Sequence, residues 1–487
     1  MGALKERRYL CWDETLFAER EGIEIVPHLP VKRNVALRTG DEWEGVHNGY
    51  GSVLKVGDTY RLYYRADASR CLADGTMGRG KGVICVAESR DGGITFRKPT
   101  VGRYEYGGTQ NNNIVFMREG SIDNFLVFLD ENPACPEDER FKALSEWMDE
   151  NKGRHLCCYV SADGYDFRRA SDIPVKGTFD SFNVLLWDKE SERYFVYYRS
   201  YHRPNGDEID DDNFMTTDPV RDIRDIRVAT SPDFKTFCEH GRIRFPEGTA
   251  DYGLYTNQIQ KYPRASDLFI GFPVRYADRA AEKESFDHMP LGDLHRRMTA
   301  AFGRGGTALT DCVIMTSKDG FLFSRRDEAF LTPGPEARDN WWYGDCYTVY
   351  GLVETPAEED GAANELSIYV GEGYRVRSVD FRRYTLRLDG FYSYYAPYKG
   401  GWFLTTPIPM TGDALSINFS TSALGSVTVA LCDESGAPLP GYESLPMFGD
   451  SVLRPVSFEK PLAALKGRKI RLRVCLFDAH LYSFAFS

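Results

Sequence analysis

Short apolar runs broken by turn residues fill most of the chain. "GVICVAE" (82–88), "HLCCYV" (155–160), "DIRVAT" (225–230) and "DCVIMT" (311–316) are each six or seven residues of strand character. Each is followed at once by a turn of one pattern: "SRDGGITF" (89–96), "SADGYDF" (161–167), "SPDFKTF" (231–237) and "SKDGFLF" (317–323). A weaker fifth copy, "SVDFRRY", occupies 378–384. The aspartate can bind turn backbone, the glycine can supply positive φ, and the aromatic can pack beneath. Copies about 60 to 90 residues apart indicate a radial or stacked repeat.

Two further strand-like runs precede each copy. They are "GYGSVLKVG" and "TYRLYYRA" in the first unit, and "NNNIVFMREG" and "NFLVFLDE" in the second. The third unit has "FNVLLWDKESE" and "RYFVYYRSY", the fourth "LYTNQIQKYP" and "DLFIGFPVRY", the fifth "CYTVYGLVE" and "ELSIYVGEG". Adding one strand after each turn gives four per unit, hence an all-β fold with a five-bladed β-propeller over 1–384. The remainder, 385–487, lacks the turn motif and has alternating strands such as "KIRLRVCLF" and "LYSFAF", which predict a C-terminal β-sandwich. Segments 131–153, 202–225 and 277–306 interrupt the blades, the last with helical character. Long loops of this kind often wall a pocket.

Composition narrows the function. The formal charge of −12 argues against nucleic acid as a partner, because phosphate binding needs a basic face. No apolar run is long enough for a membrane helix, and "MGALKERRYLCW" has no signal-peptide core. Eleven cysteines, scattered and several within apolar runs, read as buried free thiols of a cytoplasmic protein. Cys157–Cys158 lacks metal-ligand spacing, so no metal and no cofactor is expected. The aromatic share of 14% suits sugar-stacking surfaces and a small carbohydrate partner. Self-association is left open.

The Ser-x-Asp-Gly turns resemble the Asp-boxes of sialidase-type propellers. With "NNNIVF" (111–116), "FDSFNVLLWD" (179–188), "LTDCVIMTSKDGFLFSRR" (309–326) and "FRRYTLRLDGF" (381–391), the chain resembles the five-bladed propeller glycosidases, the superfamily of fructofuranosidases and arabinanases. The likeness is to bacterial members with a C-terminal β-sandwich. It implies a glycoside hydrolase acting on a small oligosaccharide or glycoside, of furanoside type. One departure is plain. Where the fructofuranosidases carry a nucleophilic aspartate on the first strand, "VHNGYGSV" (46–53) offers Asn48.

Glycoside hydrolysis uses two carboxyl groups flanking the bond. Acids near inner-strand starts are therefore candidates: Asp180 first, with Asp345 among Trp341, Trp342, Tyr343 and Tyr347 as its partner, or Asp311, which opens a third strand farther from the channel. Glu44, Asp251 and Glu372 are weaker candidates. Asn48, His47, Asn111, Asn112, Gln258, Tyr255, Trp342 and Arg275 are candidate sugar binders, amides because they both donate and accept. Two rival functions remain. One is a non-catalytic carbohydrate-binding propeller. The other is a glycoside phosphorylase, disfavoured because inner-strand starts show little basic charge.

Overall fold

The computed structural model describes residues 7–72, 76–78, 80–119, 122–150, 153–209, 218 and 221–487. The chain falls into two compact units. One comprises residues 32–353 and 367–384; the other comprises 1–31, 354–366 and 385–487. Against the expected division into 1–384 and 385–487, residues 1–31 and 354–366 group with the C-terminal residues. No described helix is long and apolar enough to cross a membrane.

The larger unit is the five-bladed β-propeller. Blade 1 pairs Gly51–Val56, Thr59–Ala66, Gly82–Ser89 and Ile114–Arg118 in that order outward. Blade 2 pairs Phe125–Leu129, Phe141–Met148, Arg154–Ser161 and Arg168–Ile173. Blade 3 pairs Val184–Asp188, Arg193–His202, Ile223–Ser231 and Cys238–Arg242. Blade 4 pairs Gln260–Tyr262, Ala265–Gly271, Met315–Ser317 and Ser324–Arg325. Blade 5 pairs Tyr347–Thr348, Glu365–Glu372, Asp380–Arg387 and Val31–Arg38. The N-terminal strand therefore completes the last blade. It also closes the ring onto blade 1: Phe96 N donates to Ala36 O at 2.8 Å, and Asn34 Nδ2 to Ile94 O at 2.9 Å.

Three expectations about the blades change. "NNNIVFMR" is the outer strand of blade 1, with Met117 opposite Val83, and does not open blade 2. Blade 2 instead takes its second strand, Phe141–Met148, from the segment expected to be an interruption. The fifth turn copy is also not an Asp-box. Asp380 opens the third strand of blade 5 and does not follow it. The outer strand of that blade comes from the N-terminus, so there is no hairpin for a box to close.

The four true boxes lie after third strands and behave as their chemistry dictates. In blade 2, Ser161 Oγ donates to Asp163 Oδ1 at 3.0 Å, and Tyr165 N and Asp166 N donate to the same oxygen at 2.8 and 3.1 Å. Gly164 takes φ of 78°. Phe167 packs into the apolar core between blades 1 and 2, with Tyr63, Val86, Phe125 and Phe141. Asp163→Ala should cost about 1–2 kcal/mol, the worth of its lost hydrogen bonds, and leave any activity per folded molecule unchanged. Thermal unfolding beside an activity assay checks this.

The insertion at 277–306 is partly helical, as expected, with an α-helix at Gly292–Phe302. In the second unit, Leu415–Cys432 and Lys469–Phe486 are single strands of 18 residues that pair along their length. The expected pair "KIRLRVCLF" and "LYSFAF" is thus one strand. Its first half buries every second residue, Ile470, Leu472, Val474 and Leu476, as period-two patterning requires. All ten strands of this unit share one hydrogen-bonded sheet over a common apolar core.

Candidate active site

In each blade the innermost strand begins at the same end of the central channel. The residues just before those strands converge there: Asn48 to Tyr50, Asp123 and Asn124, Phe179 to Asn183, Tyr255 to Ile259, and Trp342 to Cys346. Several hold left-handed backbone, namely Phe179, Phe182, Gln258, Trp341 and Cys346 at φ of 49°, 50°, 42°, 63° and 61°. Bulky residues adopt such angles at a cost, and only where the surroundings impose them.

Tyrosines line this end. Tyr347 stacks on Tyr50 and Tyr255, with centroids 5.6 and 5.8 Å apart, and lies 5.7 Å from Tyr374. The Tyr343 hydroxyl bonds that of Tyr255. Burial raises the Tyr50, Tyr255 and Tyr347 hydroxyls well above the usual phenol range, so they stay neutral donors.

Two carboxylates at this end stand apart from the rest. The Asp180 side chain is 19% exposed and accepts no hydrogen bond from any described residue. It is held only by ion contacts, 3.6 Å from Arg154 Nη1 and 3.8 Å from Arg199 Nη2. Asp123, 28% exposed, likewise has no hydrogen bond on its carboxylate among the described residues and lies 3.8 Å from Arg65 Nη1. Its backbone is fixed: Asp123 O accepts from Arg65 Nη1 at 3.1 Å, and Asp123 N donates to Glu146 Oε1 at 3.2 Å. Unmet acceptor capacity on a part-exposed carboxylate is what a sugar hydroxyl or a transferring proton requires.

Behind Asp123 sits Glu146. Its Oε1 accepts from Arg118 Nη2 at 3.0 Å, while Oε2 is buried without a partner. Burial, reinforced by the Asp123 charge and opposed by Arg118, pushes this carboxyl up to about 8. The unfolded value is about 4.3, so the folded chain holds the proton more tightly. That stability is fully present below about pH 4 and is lost as pH rises through about 8. Glu146→Gln should therefore stabilise the protein at pH 8 and have little effect at pH 4. Melting temperatures of both proteins across that range check it.

His47 also faces this end, 5.1 Å from the Tyr374 ring, with Nδ1 3.1 Å from Asp67 Oδ2. Burial first, then the Arg65 charge, lowers its pKa to about 3. Arg65 and Arg199 come from second strands and Arg375 from the loop after one. Arg65 lies 4.5 Å over Tyr50, Arg199 4.8 Å over Tyr255 and Arg375 4.7 Å over Tyr343. The basic charge near this end thus comes from second strands and the loop after one, where inner-strand starts carry little.

The other expected site residues are spent elsewhere. Asp345 Oδ2 accepts from Trp342 N at 2.9 Å, closing a turn; burial raises its carboxyl to about 7. Asp311 is paired with Arg275, with Nε to Oδ1 at 2.7 Å. Trp342 stacks face to face on His295 of the insertion helix, with centroids 3.7 Å apart. Gln258 is buried and donates to Thr348 O at 2.8 Å, tying blade 4 to blade 5. Asn48 is buried and donates to Thr39 Oγ1 at 3.2 Å. Asn111 and Asn112 precede an outer strand, bonded to Thr100 Oγ1 and Tyr104 O, each at 2.7 Å. Glu44 is fixed by Lys98 Nζ at 2.8 Å and the Tyr64 hydroxyl at 2.6 Å. Glu372 pairs with Lys32 and Arg382, each at 2.7 Å, and Asp251 binds His202 Nε2 at 3.0 Å. Of the residues singled out from the sequence, Asp180, His47, Asn48, Tyr255, Gln258, Trp342 and Asp345 lie at or just before inner-strand starts, but Asn48, Gln258, Trp342 and Asp345 are engaged within the fold as described. Asp123 was missed, although "SIDNFLVFL" repeats the signal of "TFDSFNVLLW": an acid just before an inner apolar run.

No family model matches the chain, and no curated protein does. Among solved structures, a glycosyl hydrolase from Bacteroides ovatus is similar at 11% identity and a TM-score of 0.45, over 75% of this chain and 96% of that one. A thermostable family-43 glycoside hydrolase gives 13% and 0.42, over 73% and 95%. An N-acetylgalactosamine deacetylase from F. plautii, in complex with blood group B trisaccharide, gives 12% and 0.43, over 75% and 95%.

Proposed function

We propose that the chain is a glycoside hydrolase acting on a small oligosaccharide or glycoside, of furanoside type, at the tyrosine-lined end of the channel. The observation that carries this reading is the pair Asp123 and Asp180. Both precede inner strands of adjacent blades, both are part-exposed, and neither carboxylate accepts a hydrogen bond from a described residue. Asp180, positioned by Arg154 and Arg199, is assigned the base or nucleophile. Asp123 is assigned the proton donor to the leaving oxygen. In balance, the anomeric C–O bond breaks, the leaving oxygen takes the proton, and water supplies the new C–O bond. Tyr50, Tyr255 and Tyr347 form a packed aromatic floor beneath the sugar.

A panel of aryl furanosides and pyranosides, with reducing-sugar release from oligosaccharides, tests this. Cleavage of at least one substrate by the wild type, in phosphate-free buffer, is expected. Binding of sugars without cleavage of any would favour a carbohydrate-binding propeller.

A further inference from the structure

His202 stands between two carboxylates. It ends the second strand of blade 3, and its side chain is 3% exposed. Nδ1 lies 3.2 Å from Oδ2 of Asp225, on the third strand of the same blade, and Nε2 lies 3.0 Å from Asp251 Oδ2. A neutral imidazole has one N–H and can donate to only one of them. Both contacts are hydrogen bonds only when the three groups hold one proton more, as an imidazolium between two carboxylates.

The surrounding charges were taken from every element packed on this ring. Among the described residues, Arg227 Nε lies 3.7 Å from Asp225 Oδ1, Glu208 is bridged to His202 through the backbone, and Arg242 of the outer strand lies opposite Arg227. Arg224 turns the other way, 4.1 Å over the Tyr276 ring. Arg203, Asp207, Arg244 and Glu247 on the flanking turns are exposed. Burial opposes the proton, as does Arg242; the bonds to Asp225 and Asp251 outweigh them and raise the imidazole above its ordinary value.

The two carboxylates differ in what they can do without that proton. Asp225 is 2% exposed, and its Oδ1 is buried with no hydrogen-bond partner. Asp251 is 56% exposed, and its carboxylate has no other hydrogen bond or ion pair among the described residues. When the extra proton leaves, the neutral ring keeps its N–H on Asp225, and Asp251 is released to water. Asp251 belongs to the segment 245–254, which leads into Tyr255. The side chains that otherwise hold this segment tie it to the end of blade 4: the Tyr252 hydroxyl donates to Asp327 Oδ1 at 3.0 Å, and Arg325 Nη2 donates to Ala250 O. Tyr255 O in turn accepts from Arg199 Nη1 and Ser181 Oγ at 2.9 and 2.8 Å.

We propose that Asp225, His202 and Asp251 form a proton-operated latch that ties the segment before Tyr255 to blade 3, closed when His202 is an imidazolium and open when it is neutral. The latch does not depend on what the channel end binds. Because the folded value is raised, the stability it adds is fully present below about pH 6.5 and is lost as pH rises through the folded value.

Two readouts on the full chain test it: hydrogen exchange of the Leu254 and Tyr276 amides, and nitrogen-15 spectra of the histidine rings. Leu254 N donates to Arg224 O and Tyr276 N to Gly253 O, each at 3.0 Å, so both amides report opening of the segment. After correction for intrinsic exchange, their protection should fall about tenfold or more as pH rises through the titration of the ring, the worth of one charge-assisted hydrogen bond. Asp251→Asn should abolish that fall, because an amide can donate to Nε2 of a neutral ring whose Nδ1–H stays on Asp225. One imidazole should titrate above the ordinary value of about 6.5 in the wild type, and lower in Asp251→Asn. If that variant does not fold, the wild-type ring titration and exchange decide. Protection that does not change with pH overturns the latch. So does an equal loss of protection in Asp251→Asn, or the absence of a ring that titrates above the ordinary value.

Discussion

Asp180→Asn should lower kcat/KM on a cleavable glycoside by about two to four orders of magnitude, the usual worth of a positioned acid or base. The substitution keeps the size of the side chain and removes its ability to take a proton or to attack carbon. Stability should change little. The ion contacts of Asp180 lie at 3.6 and 3.8 Å, longer than hydrogen bonds, and the group is part-exposed. The length of both contacts and the part-exposure of Asp180 keep the cost to about 1–2 kcal/mol, although Arg199 itself is buried. Arg199 also keeps its bonds to Ser181, Tyr255 and Tyr201. If activity instead falls only in proportion to folded protein, Asp180 is a structural residue.

Asp123→Asn should produce a loss that depends on the leaving group. A proton donor matters most when the departing oxygen is basic, as in a sugar or alkyl glycoside, where the loss should reach about 10² to 10⁴. A dinitrophenyl group leaves without help, so for that substrate the loss should be about tenfold or less. Asp180→Asn should show no such relief, because the base or nucleophile is needed whatever leaves. Relief in Asp180→Asn and none in Asp123→Asn would reverse the roles. Asp345→Asn and Asp311→Asn should instead act on stability, since their carboxylates close a turn and pair with Arg275.

The radial repeat was legible because the box chemistry is local. Ser161, Asp163 and Gly164 satisfy one another within a few residues, so the pattern survives in the sequence. The blade boundaries were harder to place. "NNNIVFMR" and "NFLVFL" are both short apolar runs, and which of them closes blade 1 depends on pairing with Gly82–Ser89, a partner some thirty residues away. Reading the first as an inner strand moved Asn111 and Asn112 to the channel and hid Asp123. The arginines were missed for a related reason. Arg65 and Arg199 lie on second strands, and only the radial packing of blades brings second-strand side chains under inner-strand starts. Asp180 was found because its acid, turn and apolar run are contiguous. The N-terminal closure left no signal, since nothing in "VKRNVALR" specifies that its partner is Asp380–Arg387.

The most direct measurement is a crystal structure of the Asp180→Asn protein soaked with an oligosaccharide that the wild type cleaves. The account predicts the scissile oxygen between the Asp123 carboxyl and the residue 180 amide, with the sugar ring against Tyr50, Tyr255 or Tyr347. The separation of the two groups should fall within about 5 to 9.5 Å, the span of glycosidase carboxyl pairs. A sugar bound at the cleft lined by Arg242, Arg244 and Tyr252, or at the far end of the channel beside Leu186 and Tyr350, with the Asp123 and Asp180 end vacant, would contradict it.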